Sequence, residues 1–146
     1  MTDVNEHQPL FDVAAYGTLR RGQALDHVWQ GFASTIRGRV RGWNLYQPDG
    51  CPYPVAFPNG NELTTIVVDV VVPYMDCGID LLNRFDMIEH FPHLYSRVIV
   101  DVELETGFYT SAWIYTPAQP LEKWLPAKQV VDGDWRKRGM DLFHVF

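Results

Sequence analysis

A glycine turn after a short apolar stretch is the first feature of this sequence that could do chemistry. Residues 11–15 are apolar apart from one Asp and are compatible with a β-strand, and the chain then enters Tyr16-Gly17-Thr18-Leu19. A plausible helix follows over residues 24–30. A strand, a glycine turn and a helix start leave successive backbone N–H groups without partners, and such donors bind a carboxylate, a phosphate or a developing oxyanion. A purely structural turn is the alternative interpretation.

The middle of the chain predicts a helix with one apolar stripe. Asp76 or Asp80 can cap its start, it runs through Glu89, and Pro92 ends it. Apolar residues recur in this segment with a spacing of three, at Ile79, Leu82, Phe85 and Ile88. Because residues i, i+3 and i+7 share one helix face, Glu89 continues the stripe at the last turn and points toward the core.

This position gives Glu89 the properties of a candidate general base. Partial burial and the negative end of the helix dipole both disfavour the carboxylate, so both raise the pKa of Glu89. A glutamate with a raised pKa in a cleft is suited to proton transfer near neutral pH. The alternative is a helix-terminal glutamate that bends into solvent. Tyr95, just past the proline turn, is placed either with its phenol near Glu89 or as an ordinary core tyrosine.

Two histidines beside Glu89 raise the question of a metal site. His90 and His93 have the spacing of an H-x-x-H pair, with Asp86 one turn earlier. Pro92 interrupts the helix between the two histidines and no third ligand is evident, so the sequence predicts no metal. Motifs for phosphate, dinucleotide and serine-nucleophile chemistry are also missing, and no cofactor is predicted.

Composition and charge exclude several classes of protein. The chain has 146 residues, of which 47% are apolar and 21% charged, as expected for one soluble globular domain with a hydrophobic core. No window approaches the ~18 consecutive apolar residues of a membrane-spanning helix. A net charge of −6 argues against nucleic-acid binding, which needs a basic face. Residues 1–10 lack the pattern of a signal peptide and are expected to be a flexible leader.

The two cysteines indicate a compartment rather than a site. Cys51 and Cys77 form neither a CxxC pair nor a Cys/His zinc spacing. With no export signal, we expect two reduced thiols in a cytoplasmic protein. The oligomeric state is not indicated by the sequence.

The remaining segments are mostly strand-like. Strands are predicted over residues 36–46, 63–72, 95–103 and 108–115. The second of these is nearly all β-branched and is expected to be central and buried, and the last two form a hairpin. Four prolines in residues 47–61 predict an irregular loop, and a short helix is expected near residues 134–139. The pattern predicts a single α+β domain, residues 1–146, with a small mixed β-barrel flanked by short helices.

Three motifs follow one another along the chain: Tyr16-Gly17-Thr18-Leu19, then Phe85-Asp86-Met87-Ile88-Glu89, then Tyr95-Ser96-Arg97-Val98. Their order and spacing resemble the γ-glutamylcyclotransferase-like superfamily, which includes γ-glutamylamine cyclotransferases and AIG2-like proteins. A late Gly133-Asp134-Trp135 and an aromatic strand at Trp113-Ile114-Tyr115 resemble further features of that family. The resemblance covers roughly residues 13–135.

The resemblance implies a barrel in which the turn and the glutamate meet at one mouth, with Glu89 as the catalytic acid/base and no metal or cofactor. The substrate is a small γ-glutamyl amine or γ-glutamyl peptide, whose α-amine attacks its own γ-carbonyl to release 5-oxoproline and the amine of the former amide. The candidate substrate-binding residues are Tyr16, Gly17, Thr18, Leu19 and Tyr95.

Two alternatives and one departure from the family pattern accompany this hypothesis. The alternatives are a non-catalytic small-molecule-binding or interaction module on the same fold, and a metal-assisted hydrolase using Glu89 and its two neighbouring histidines. His90 stands where the family usually has glycine, which leaves open whether Glu89 faces the turn and whether activity is retained. The sequence assigns no role to Arg20, Arg21 or Arg97.

Overall fold

Strands make up most of the regular structure in the computed structural model, which describes residues 12–140 and 144–145. The predicted leader, residues 1–10, lies outside the described residues. The described elements, in chain order, are β1 (Asp12–Ala15), β2 (Ala33–Arg41), β3 (Trp43–Pro48), β4 (Val55–Pro58), β5 (Thr65–Pro73), α1 (Gly78–Ile88), β6 (Tyr95–Leu104), β7 (Tyr109–Pro117), β8 (Ala127–Gln129) and β9 (His144–Val145).

Five of the strands close into a barrel in the order β1-β5-β2-β6-β7. Strand β1 runs antiparallel to β5 and parallel to β7, so the barrel is mixed. Strand β5 lies between β1 and β2, and its residues 66–71 are buried, which confirms the predicted central strand. Strands β6 and β7 pair as the predicted hairpin. The predicted α+β fold with a small mixed barrel is confirmed.

The alternation of side chains along the barrel strands produces two apolar clusters. On β1, Ala14 belongs to a cluster that gathers residues from all five barrel strands and therefore fills the barrel interior. Its neighbours Val13 and Ala15 belong to the other cluster, together with Leu82 and Phe85 of α1. The helix is therefore packed against the outer face of the barrel at β1.

A second sheet, in the order β4-β3-β8-β9, corrects the prediction of an irregular loop over residues 47–61. Strand β3 continues to Pro48, and β4 forms within the proline-rich stretch, with Ala56 opposite Leu45. Prolines are compatible with β-structure at strand ends and in edge strands, and β4 is the edge strand of this sheet. Strands β8 and β9 are too short to give a pattern in the sequence.

The single described α-helix differs from the prediction at its start and on part of its stripe. It begins at Gly78 after Cys77, and Asp76 has a φ of +69°, outside the helical region, so the predicted aspartate caps are wrong. Ile79 is 37% exposed because the buried face is rotated away from it. The buried residues of α1 are Leu81, Leu82, Phe85 and Asp86.

The two other predicted helices are 3₁₀ turns. The expected helix at residues 24–30 reduces to Asp26–Val28, and Gly22 and Gly31 on either side both have a positive φ, outside the helical region. The expected helix at residues 134–139 reduces to Trp135–Lys137. Short 3₁₀ pieces of this kind commonly serve as connectors.

The late Gly-Asp-Trp segment is packed tightly against β5. Gly133 has a φ of +62°, and a Cβ at this position would overlap the carbonyl oxygen of Thr65 and lie 2.8 Å from Cα of Ile66. Trp135 is 1% exposed and belongs to the barrel cluster. This segment therefore packs against one side of the barrel.

Gly133→Ala is expected to destabilise the fold by about 3 kcal/mol or more, because left-handed strain and a clash with the β5 backbone add together. Gly139→Ala is the matched control, since Gly139 also has a positive φ but a Cβ there meets no atom within 4 Å. The control should lose only the strain, about 1 kcal/mol. Urea unfolding of both variants measures the difference, and equal losses would show that packing against β5 is unimportant.

Candidate active site

A cavity of about 440 Å³ opens where the end of β1, the turn after it, the loop before β4 and the end of α1 meet. A volume of this size is typical of a small-molecule site. All six residues that the sequence singled out line this one cavity: Tyr16, Gly17, Thr18, Leu19, Glu89 and Tyr95. The tertiary structure thus brings together the glycine turn and the glutamate, which are seventy residues apart in the chain.

The turn after β1 is closed by its own backbone. The N–H of Arg20 donates to the carbonyl of Gly17 over 3.0 Å, and the N–H of Leu25 donates to the carbonyl of Thr18 over 2.8 Å. Within residues 12–140, no hydrogen-bond partner is found for the N–H groups of Gly17, Thr18 and Leu19. These three residues line the cavity, and a backbone N–H group without a protein partner is the kind of donor that binds an anionic group.

A proline ring explains why the turn carries glycine. A Cβ on Gly17 would lie 2.6 Å from Cγ of Pro54, closer than real side-chain contacts allow. The carbonyl of Pro54 also lies 3.5 Å from the hydroxyl of Tyr95, across the cavity wall. The turn and the loop before β4 therefore approach one another closely enough to form one continuous wall.

Arg20, to which the sequence assigned no role, anchors the turn from behind. Its side chain is fully buried, with Nε 3.1 Å from Oδ2 of Asp69 on β5 and Nη1 2.6 Å from Oδ1 of Asp134. The N–H of Arg21 donates to the same Asp69 oxygen over 3.0 Å. A buried charge with two carboxylate partners stays in place, because moving it would leave those partners unpaired. Arg20 therefore positions the turn.

Glu89 is the C-cap of α1 and is one of the residues that line the cavity. Burial raises the pKa of Glu89 to about 7, in the direction that its position on the helix predicts. His90 has a φ of +52°, the left-handed conformation that glycine adopts most readily. The histidine thus takes the conformation that glycine would take at this position, and Glu89 lines the same cavity as the turn.

A second buried arginine holds the end of α1 close to the barrel. Arg97 of β6 donates from Nε to Oδ1 of Asp86 over 3.0 Å and from Nη2 to Oδ2 over 3.2 Å. The Tyr115 hydroxyl donates to Oδ1 of the same carboxylate over 2.6 Å. The Arg97 guanidinium also stacks on the rings of Phe91 and Trp113, 4.4 and 4.3 Å from their centroids. Asp86 lies one turn before the glutamate, so this network positions the candidate base.

Tyrosines surround the glutamate. The Tyr16 hydroxyl is buried and donates to the carbonyl of Tyr115 over 2.7 Å. Burial, and then the nearby charge of Glu89, raise the pKa of Tyr95 far above its usual value, so its phenol stays neutral. Tyr53 also lines the cavity, and sequence reasoning missed it because it lies in the proline-rich loop with no periodic pattern around it. Burial raises the pKa of both the Tyr53 and the Tyr95 phenol, and the charge of Glu89 contributes to the increase in each pKa.

The remaining candidates from the sequence lie outside this arrangement. His93 is exposed, and among the described residues no three His, Cys, Asp or Glu side chains come together in a group that could hold a metal ion. Cys51 and Cys77 are free thiols. No helix in the described part of the chain is long and apolar enough to span a membrane.

Comparison with known proteins identifies the family of this chain. The family model described as "Gamma-glutamyl cyclotransferase, AIG2-like" matches residues 13–137, which include every residue of the cavity named above. The chain belongs to this family. No curated protein matches the sequence. The resemblance that the motifs predicted is therefore confirmed.

Solved structures of family-like proteins share the fold. A mouse AIG2-like protein aligns with a TM-score of 0.63 at 22% identity, covering 79% of this chain and 82% of that one. An uncharacterised protein from Pyrococcus horikoshii aligns with a TM-score of 0.59 at 21% identity, covering 86% and 89%. Allophanate hydrolase from Kluyveromyces lactis aligns with a TM-score of 0.61 at 18% identity, covering 87% of this chain but 20% of the hydrolase. These likenesses establish the fold.

Asp134→Asn is expected to destabilise the protein by about 2 kcal/mol, because the buried Arg20 loses one of its two charged partners. Asp132→Asn, two residues away, is the matched control. Asp132 pairs with Lys137 at the surface, where an ion pair contributes little to stability. Chemical denaturation at neutral pH compares the two variants. Equal small losses would show that the turn does not depend on the Arg20 network.

Proposed function

We propose that this protein is a γ-glutamylcyclotransferase-type enzyme that releases 5-oxoproline from a small γ-glutamyl compound. The single observation that carries the proposal is that one cavity is lined both by Glu89, whose pKa is raised, and by Gly17, Thr18 and Leu19, whose N–H groups have no hydrogen-bond partner within residues 12–140. Membership of the cyclotransferase family supports the reaction class. Neither a metal nor an organic cofactor is required by the chemistry.

In the proposed reaction the nucleophile and the electrophile belong to the same molecule. The α-amine nitrogen bonds to the γ-carbonyl carbon and closes a five-membered ring, and the bond from that carbon to the amide nitrogen then breaks. The products are 5-oxoproline and a free amine. Because the reacting groups are already joined, the main task of the cavity is to hold the γ-glutamyl chain in its ring-forming conformation.

Glu89 acts as the proton carrier in this scheme. Its carboxylate takes one proton from the α-ammonium group, which frees the lone pair for attack, and returns that proton to the departing amide nitrogen. The ring nitrogen still carries a second surplus proton after the attack, and this proton passes through the same carboxylate to the departing nitrogen, so that the amine leaves as an ammonium ion and the ring keeps one N–H. No net proton is gained or lost by the enzyme. A pKa of about 7 suits both steps, because the group is then poised between its two forms near neutral pH. The neutral phenols of Tyr53 and Tyr95 border the carboxyl group.

The glycine turn supplies the complementary charge stabilisation. As the amine attacks, negative charge develops on the γ-carbonyl oxygen, and the N–H groups of Gly17, Thr18 and Leu19 are fixed donors for that oxygen or for the α-carboxylate. Donors that are already oriented lose little free energy to reorganisation during the reaction. The buried Arg20 behind the turn maintains this orientation.

Glu89→Gln is expected to lower the rate of 5-oxoproline release by at least about a hundredfold, because an amide cannot accept and return the proton. The assay follows 5-oxoproline from a panel of γ-glutamyl amines and γ-glutamyl dipeptides, with wild type and variant side by side. Equal rates would remove Glu89 from the mechanism. A wild-type protein that releases no 5-oxoproline from any substrate of the panel would overturn the proposed function in favour of a binding module.

The pH dependence of its thermal stability shows whether the Glu89→Gln variant is folded. Between pH 4.5 and about 7 the folded protein retains a proton on Glu89 that the unfolded chain has released, so wild-type stability falls as pH rises through this range. Glutamine removes this penalty, which amounts to roughly 3 kcal/mol at most. Glu89→Gln should therefore melt above wild type at about pH 8 and lose that advantage at about pH 4.

The activity of the wild type should depend on pH through the same group. Glu89 accepts a proton only as the carboxylate, so kcat/KM should fall on the acidic side with a midpoint near 7. Initial rates of 5-oxoproline release across this range, at substrate concentrations well below KM, give the profile. A flat profile from about pH 5 to 8 would exclude a base with this pKa.

A further inference from the structure

A second cavity, of about 450 Å³, lies between the barrel and the second sheet. The barrel strands contribute Arg39 and Thr65 to its lining, and the second sheet contributes Asn44 and Gln129. Most of its described lining residues are polar or charged, and none of them also lines the cavity that contains Glu89. We call it the polar cavity. Nothing in the proposed reaction uses it.

Two basic segments that are far apart in the sequence meet at the polar cavity. Arg37, Arg39 and Arg41 alternate along β2 and are exposed, so all three project from its outer face. Lys137, from the segment after β8, lines the cavity together with Arg39. The ion pair with Asp132 raises the pKa of Lys137, and the charge of Arg39 opposes that rise. The two cations are therefore close enough to repel one another, and an anion bound between them would relieve the repulsion.

The carboxylates among the described lining residues of the polar cavity already have partners. Oδ2 of Asp132 lies 2.7 Å from Nζ of Lys137, in a pair that is exposed at the surface. Oδ1 of Asp134 lies 2.6 Å from Nη1 of the buried Arg20 and also accepts from the N–H of Arg136 over 3.1 Å. Because exposed ion pairs are weak, Lys137 can exchange its contact with Asp132 for a contact with a ligand.

Arg39 is the cation with unused hydrogen-bond donors. Within residues 12–140 it forms no ion pair, and its hydrogen bond from Nη1 to Oγ1 of Thr65 is long, at 3.4 Å. Glu103, opposite Arg39 on β6, is instead held by Arg41 over 3.1 Å and by the Tyr109 hydroxyl over 3.0 Å. A guanidinium group in this condition presents a planar set of donors that matches the oxygens of a phosphate group.

Two amide side chains add hydrogen-bonding capacity beside these cations. Gln129 is half-buried, and in the part of the chain that the structure describes its side chain has no hydrogen-bond partner. Asn44 donates from Nδ2 to the Tyr46 hydroxyl over 3.3 Å, which leaves its Oδ1 to accept from a ligand. An amide group both donates and accepts, so these two side chains suit the hydroxyl groups of a ligand.

We infer that the polar cavity binds a small phosphate monoester whose organic part carries hydroxyl groups, as in a sugar phosphate. Arg39 and Lys137 bind the phosphate group, and Asn44 and Gln129 form hydrogen bonds with the hydroxyl groups. A volume of about 450 Å³ is typical of a small-molecule site. This site is separate from the proposed reaction, because the two cavities have no described lining residue in common.

Three probes test this site by calorimetry on the full chain at neutral pH and low salt: ribose 5-phosphate, ribose and inorganic phosphate. Ribose 5-phosphate should bind at least about tenfold more tightly than either of the other two, because only it engages the cations and the amides together. No measurable binding of ribose 5-phosphate at about 10 mM would overturn the inference. Equal affinities for ribose 5-phosphate and inorganic phosphate would overturn it too.

Two arginine variants on the same strand separate the cavity from general attraction by charge. Arg39→Gln should weaken ribose 5-phosphate binding by at least about tenfold, because charged hydrogen bonds to the phosphate are lost. Arg41→Gln is the matched control, since it removes the same charge from β2 but Arg41 does not line the cavity. The control should change the affinity by less than about twofold at 0.15 M salt. Equal losses in the two variants would contradict the proposed site.

An acidic neighbour gives a prediction of opposite sign. Asp132→Asn releases Lys137 from its ion pair, so ribose 5-phosphate should bind several-fold more tightly to this variant than to wild type. An unchanged or weaker affinity would contradict the role given to Lys137.

Backbone amide NMR shifts locate the bound probe. On titration with ribose 5-phosphate, changes at Gln129 and Gly133 would support binding in the polar cavity, which both residues line. Changes confined to Gly17, Thr18 and Leu19 would place the anion at the glycine turn and overturn the inference.

Discussion

The burial of Arg20 is the constraint on which the rest of the site depends. A guanidinium group withdrawn from water must have carboxylate partners, and the two that it finds come from β5 and from the segment after β8. These partners are 49 and 114 residues away in the chain. One charged side chain thus joins the first turn, the central strand and the late Gly-Asp-Trp segment. The turn keeps its shape because each of those segments is itself packed in the barrel.

The opposite wall of the cavity is stabilised in the same way. Arg97 and Asp86 form a buried pair to which Tyr115 donates, and this pair joins the last turn of α1 to the β6–β7 hairpin. The guanidinium group of Arg97 is held by Asp86, and most of the residues that line the cavity are apolar. The same apolar surroundings keep water away from Glu89 and raise its pKa. The buried ion pair, the apolar lining and the raised pKa of Glu89 therefore all result from the burial of the residues around the cavity.

Local strain accompanies this arrangement. His90 adopts a left-handed conformation directly after the candidate base, and Glu89 itself is held where its ionised form is destabilised. Both features reduce the stability of the fold. Features of this kind concentrate at functional sites, because surrounding packing can hold a conformation that the local chain would not choose.

Several elements could be predicted from the sequence because their cause is local. The β-branched run predicted β5, the two neighbouring strand-like segments after the helix predicted the β6–β7 hairpin, and the spacing of Leu82, Phe85 and Glu89 placed the glutamate on the apolar stripe of α1. The same local signals misled elsewhere. Prolines obscured β4, and the apolar residues between Gly22 and Gly31 suggested a helix where the backbone forms only a 3₁₀ turn.

The sequence by itself determined the barrel strands, the glycine turn and the glutamate on its helix face, since periodicity and turn chemistry act within a few residues. Only the tertiary structure decided that the turn and Glu89 share one cavity. It also decided that Arg20 and Arg97 form buried ion pairs with segments next to the cavity, and that most residues lining the cavity are apolar. Those outcomes depend on which distant side chains meet when the barrel closes, and pairing across that distance leaves no pattern in a single sequence.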